Sequence, residues 1–178
     1  MLPMVQYFPS VSVLRVRHLL GALVFVGLLG LALGLQCANA TEVLRGRVVA
    51  IADGDTLTLL VGTQQVKVRL LGIDAPEKKQ AFGTRSRQEL SDCAFGKEVV
   101  VTSKGSDRYK RVLGDVAVNG ESCNLRQVSA GMAWWYRKYS PNEKTLEAAE
   151  AKARQAKRGL WVDPLPTPPW EFRHAPKR

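Results

Sequence analysis

The chain has 178 residues, with 26 Lys+Arg against 16 Asp+Glu and a formal net charge of +10. A balance of that sign favours a polyanion or an anionic surface as partner and says nothing about fold. Beyond the first 40 residues the only histidine is His174, so a Ser-His-Asp triad, a histidine-pair ribonuclease and a His-ligated zinc site all lack their parts.

Arg15, Arg17 and His18 precede LLGALVFVGLLGLALGL, an uncharged apolar run that ends at Ala38-Asn39-Ala40. Positive residues, an apolar stretch and a small-x-small site describe a secretory signal peptide over 1–40. The alternative is an uncleaved membrane anchor, since the run approaches the roughly 18 residues of a spanning helix. Gln36, bulky and polar, argues against a lipid anchor on Cys37. The expected location is the periplasm or the medium, without stable membrane association once the leader is removed. Cleavage leaves Cys93 and Cys123. In an oxidising compartment they either pair, closing a loop of about 31 residues, or remain two buried thiols.

Residues 41–162 are expected to form one domain and 163–178 a proline-rich tail. Without Arg15 and Arg17 the balance is 24 Lys+Arg against 16 Asp+Glu. Alternating Val, Leu and Thr predict strands over 43–51, 55–61 and 64–73, separated by Asp-Gly-Asp and Gly-Thr turn signals. A helix is predicted over 86–95, with Ser86 as cap three residues before Glu89. Strands follow over 97–105 and 111–120, then a short helix from Cys123 stopped by Gly131. The clearest helix spans 142–161, capped by Asn142 and closed by Gly159. Nine prolines in the chain, five of them in the tail, predict an extended tail with Trp170 packing back on the domain. Five short strands with about three outer helices suggest a mainly β, α+β chain folded as an OB-type barrel.

No glycine-rich phosphate loop follows any predicted strand. What stands out instead is acid in a basic chain. Asp55 opens one predicted strand and Asp74 ends another, and the meander can bring those ends side by side. Two carboxylates with the Ala75 carbonyl would make a hard-oxygen site suited to Ca²⁺ or Mg²⁺. Each segment alone is also explained as a turn.

DGDT, VRLLGIDAPE, DRYKR and GMAWWYRKYSPN, in this order and with the closing RGLW and PPWEFR, resemble the staphylococcal nuclease (thermonuclease) family over about residues 43–172. The resemblance implies a five-stranded OB-type barrel with three helices and hydrolysis of DNA and RNA phosphodiesters with Ca²⁺, leaving 3′-phosphate ends. By motif position, Asp55 and Asp74 would hold calcium through side chains and Ala75 through its carbonyl, for which the family's usual threonine is not required. Glu77 would position or deprotonate the attacking water, and Arg69 and Arg111 would clamp the phosphate. Arg108 and Tyr109 would touch a neighbouring phosphate, and Tyr139 would stack on a base. Three departures stand beside the match. Arg137, next to Tyr136, replaces a second pocket tyrosine; Lys110 replaces a glycine that could serve a positive φ; and the loop after Glu77 is short. Trp134 and Trp135 suit either core or stacking platform. A monomer acting on nucleic acid is expected. A catalytically silent OB module that only binds nucleic acid or protein is the alternative.

Overall fold

The computed structural model describes residues 42–175, which lie within one compact unit beginning at Thr41. The expected leader, with Cys37, lies outside the described residues. Among the described residues no helix is long and apolar enough to cross a membrane.

Alternation produces the barrel. β1 (Val43–Ile51) turns through Asp-Gly-Asp into β2 (Thr56–Val61), which returns as β3 (Gln64–Leu70), all antiparallel. The lower half of β1 pairs with β5 (Glu98–Ser106), which pairs with β6 (Val112–Val118). A bulge between Val48 and Ala50, and another between Ser103 and Ser106, bend the strands enough to curl the sheet. β3 and β6 then pair in parallel, Val68 opposite Val112 and Arg69 opposite Leu113, and the five strands close. Val48, Leu57, Leu59, Val68, Leu70, Val101 and Val116 point inward and are almost completely buried.

Three substantial helices cover the outside: α1 (Gly83–Ala94), α2 (Cys123–Ser129) and α3 (Lys144–Gln155). β7 (Glu121–Ser122) folds back antiparallel on the end of β6, and Ser122 caps α2 by accepting from the Leu125 N–H at 3.2 Å. Cys93 at the end of α1 and Cys123 at the start of α2 are joined by a disulfide, with Cα atoms 6.0 Å apart. Buried Asn124 accepts from the Val116 N–H and donates to the Leu71 and Gly114 carbonyls, fixing α2 against the barrel wall.

Local signals mislead in four places. The third predicted strand stops at Leu70; after a turn, β4 (Ile73–Asp74) leaves the barrel sheet and pairs with β8 (Trp134–Trp135). Ser86 is no cap: α1 starts at Gly83, and buried Ser86 donates to the Met132 carbonyl at 2.7 Å. Asn142 does not cap α3 either, which begins at Lys144 after Glu143 without a side-chain cap. Its end is Gln155, beyond which Lys157 and Gly159 take positive φ and a 3-10 turn, Gly159–Val162, follows. The tail is not wholly extended, because Pro169 opens a one-turn helix, α4 (Pro169–Phe172), a position that suits its fixed φ and missing N–H.

Trp170 does pack back. It stacks on Tyr136 with ring centres 5.3 Å apart and meets Trp134 edge-on at 6.4 Å. Trp134 and Trp135 are core residues, 3% and 5% exposed, and not a stacking platform. Gly131 and Gly159 bring the end of α2 against the chain leaving α3. A β-carbon on Gly131 would lie 2.2 Å from the Arg158 carbonyl oxygen, and Gly131 and Gly159 both hold positive φ. That backbone-to-backbone seam sets where the tail begins its path.

Candidate active site

The closed barrel determines which side chains meet. Thr56 faces Arg69 across β2 and β3, and Arg111 immediately precedes the strand that pairs with Arg69. Asp55, Thr56, Arg69 and Arg111 therefore gather at one end, and the departure of β4 delivers Asp74 to the same end. The Asp-Gly-Asp turn is locked from below: fully buried Gln127 donates to the Gly54 carbonyl and, at 3.0 Å, to that of Ser86. Gly54 must be glycine here, since a β-carbon would fall 1.8 Å from the Ser86 hydroxyl.

Asp55 Oδ2 accepts from the Ala75 N–H at 2.7 Å and pairs with Arg69 Nη2 at 3.1 Å, while Oδ1 accepts from the Thr56 hydroxyl at 3.1 Å. Burial strips water from this carboxyl and pushes it up from 3.8 to about 7. Arg69 and the Ala75 N–H oppose the rise, and Asp53 and Asp74 add to it. The group is short of positive charge. Asp74, 1% exposed, accepts from Arg69 Nη2 at 2.9 Å through Oδ1. Arg69 Nη1 also donates to the Leu70 and Ile73 carbonyls at 3.0 Å each, so the fork is fixed at both nitrogens.

Glu77 stands at the rim, its side chain 39% exposed. Between it and Asp74 lies Arg173 from the tail. Its guanidinium donates to Asp74 Oδ2 at 2.8 Å, Asp74 Oδ1 at 3.3 Å and Glu77 Oε1 at 2.9 Å. Those bonds, to Asp74 first and Glu77 next, hold its charge more firmly than that of an ordinary arginine.

The residues present fit a hard divalent cation. Two carboxylates converge, one raised by burial, and among the described residues no hydrogen bond reaches the Ala75 carbonyl. The donor set is small: no cluster of three or more His, Cys, Asp or Glu side chains close enough to hold a metal occurs among the described residues. So few protein oxygens suit a cation that keeps several waters.

Arg111 is held by Asp107, a residue the sequence reading overlooked although it opens the DRYKR motif. Asp107 Oδ2 takes Arg111 Nε and Nη2, each at 2.8 Å, and Oδ1 takes the Tyr109 and Arg111 N–H groups at 2.8 and 3.0 Å. Arg111 Nη1 reaches the Thr56 hydroxyl at 3.5 Å, which links it to Asp55. Lys110 within this loop has φ of 62°, so the expected positive φ is present. A non-glycine residue in that region carries strain of about 1–2 kcal/mol.

Partial burial raises the Asp107 carboxyl, but hydrogen bonds from Arg111 and Tyr109 outweigh it and the group sits below its ordinary value of 3.8. A depressed carboxylate stabilises the fold above its unfolded pKa and loses that contribution as pH falls through the folded one. Asp107→Asn should therefore lower Tm at neutral pH, with the gap to the parent closing in acid, and should free the Arg111 guanidinium. Thermal unfolding of both proteins across pH checks this; a gap that persists unchanged into strong acid would refute it.

Tyr109 is 63% exposed, and the guanidinium groups of Arg108 and Arg111 lie over its ring at 4.8 and 5.5 Å. Tyr139, 65% exposed, meets Tyr136 edge-on at 4.9 Å and makes none of the carboxylate cluster's contacts. Arg137 turns away, over the Trp135 ring at 4.9 Å and towards Glu150 at 3.5 Å. Tyr136 is already stacked against Trp170. Asp55, Asp74, Glu77, Arg69 and Arg111 thus come together, while Tyr139, expected to stack on a base, makes no contact with them.

A family model described as staphylococcal nuclease homologue matches residues 67–163. The chain is 46% identical over 143 residues to a micrococcal nuclease of Shigella flexneri, covering 75% of this chain and 82% of that protein. It is 44% identical over 153 residues to the protein ParB of Escherichia coli, covering 80% and 86%. An uncharacterized endonuclease of Haemophilus influenzae is 47% identical over 132 residues, covering 74% of each.

Proposed function

Since the chain belongs to the staphylococcal nuclease family, and is thereby a nuclease that hydrolyses phosphodiester bonds, we propose that it is an exported, Ca²⁺-dependent enzyme acting on both DNA and RNA and leaving 3′-phosphate ends. The observation that carries this reading is Arg69 Nη2 lying between Asp55 and Asp74 at 3.1 and 2.9 Å, with Arg111 linked to the same cluster through Thr56. Asp55, Asp74 and the Ala75 carbonyl would hold the calcium, which when bound supplies the charge that lets a phosphate approach acidic groups and polarises its oxygen.

The chain's own groups do the rest. Arg69 and Arg111 would bring permanently charged guanidinium groups to the phosphate oxygens, each exchanging protein acceptors it now holds for phosphate ones as charge develops there. Glu77, at the solvent rim, would accept a proton from the attacking water. Arg108 and Tyr109 form an exposed ledge for an adjoining phosphate, and Tyr139 offers one face for a base. We assign residues 1–40 to a cleaved leader, the location to the periplasm or medium, and the active form to a monomer free of the membrane.

Purified protein incubated with single-stranded DNA or with RNA should cleave both in Ca²⁺, stop in excess chelator and resume when Ca²⁺ is returned. Mg²⁺ should bind yet support less turnover, being smaller and stricter in geometry. Undiminished cleavage in chelator would sink the metal reading, and 5′-phosphate product ends would sink the expected bond selection.

A further inference from the structure

The carboxylate cluster contains one cation that the barrel does not supply. Arg173 arrives from the tail, from 99 residues beyond Asp74 in the chain, and occupies both Asp74 oxygens together with one oxygen of Glu77. With Arg69 on the other side, no oxygen of Asp74 lacks a guanidinium donor. A divalent cation that uses Asp74 must therefore meet Arg173 at contact range, where two like charges in a partly buried site repel strongly.

We infer that Arg173 is a built-in competitor for the metal, so that the tail closes the carboxylate site and cation binding at Asp74 releases it. This inference rests on the metal reading proposed above. Charge makes the exchange favourable. With Asp55, Asp74 and Glu77 all ionised, three carboxylates against Arg69 and Arg173 leave one negative charge, whereas exchanging Arg173 for a divalent cation leaves none. The tail is also fastened so that it can let go at this point without leaving. Upstream, Gln80 Nε2 donates to the Thr167 carbonyl at 2.6 Å and Trp170 is stacked on Tyr136. Between these anchors and α3 the tail spans an open cleft of about 1150 Å³ walled partly by Trp161, Pro164 and Pro166, and Leu165 is 87% exposed. Arg173 lies just past the last turn of α4, with its side chain 39% exposed. Release then carries the Arg173 guanidinium into solvent while α4 stays in place.

Coupling of this kind is reciprocal: what Arg173 takes from metal affinity, the metal takes from the docking of Arg173. Calorimetric titration of Ca²⁺ into protein expressed with its own leader, without nucleic acid, reads the effect apart from activity. Arg173→Ala should bind Ca²⁺ about tenfold more tightly than the parent, within the usual range of such couplings. Equal affinity, or weaker binding by the variant, would overturn the competition; weaker binding would make Arg173 a positioning residue for the two carboxylates. Absence of Ca²⁺ binding in both proteins would overturn the metal reading itself, which separates the two failures. A second measurement does not depend on the variant's affinity. In arginine-labelled parent protein, the guanidinium resonance missing from Arg173→Ala should move towards that of free arginine as Ca²⁺ is added. A resonance that stays fixed while the metal binds would refute the release.

Discussion

Arg69→Lys should lower kcat by about 10²–10³ while leaving KM comparatively unchanged, the pattern expected when a group acts chiefly on charge developing in the transition state. Lysine keeps the charge but cannot reproduce the fork that now reaches Leu70, Ile73, Asp74 and Asp55 at once. Arg111→Lys should behave alike, because its grip by Asp107 also depends on two nitrogens. Glu77→Gln should cut turnover and leave nucleic acid bound, since it removes a proton acceptor at the rim and no phosphate contact. Lysines distant from the cluster should instead weaken binding evenly and flatten its dependence on salt. Cleavage and binding measured on the same variants decide the matter. Parental rates in Arg69→Lys and Glu77→Gln would mean that the chemistry is done elsewhere.

Removing the disulfide with Cys93→Ser and Cys123→Ser together should cost about 3–4 kcal/mol, the chain-entropy value for a loop closed over a separation of 30 residues. For a domain of this size that is a fall in Tm of roughly 10 °C. Neither sulfur touches the carboxylate cluster, so the folded variant should cleave at close to the parental rate at low temperature. The same Tm should be obtained by reducing the parent protein. An unchanged Tm in the double variant would show that the bridge does not restrict the unfolded chain as the chain-entropy value requires.

Whether an element could be read from sequence depended on how local its causes are. The strands were legible because alternation of Val, Leu and Thr with polar residues is itself the cause of a half-buried strand. The meeting of Asp55 with Asp74 was legible only in part: the meander brings the end of β3 beside Asp55, but Asp74 arrives there on β4, which has left the barrel sheet. Ser86 was misread because its hydroxyl satisfies the Met132 carbonyl, 46 residues away, and not a helix N–H nearby. The third strand was drawn too long because nothing local says that Ile73 and Asp74 will pair with Trp135 and Trp134. Arg173 was invisible as a site residue for the same reason in stronger form, its partners lying 96 and 99 positions back. Asp107 was different. Its turn is local, and an aspartate two residues before Tyr109 and four before Arg111 was available as a signal for side-chain bonds to those N–H groups.

The parallel seam between β3 and β6 has a kinetic consequence. It joins strands separated by the whole of α1 and β5, so no hairpin formed early in the chain can seed it. Loop-closure entropy must be met across that distance before the barrel returns any burial, and folding on the millisecond-to-second scale follows for topologies of this kind. Until the seam shuts, β3 and β6 are bare edges able to pair with a neighbouring chain. Refolding yield should therefore fall with protein concentration even though the finished barrel leaves neither of these two strands unpaired.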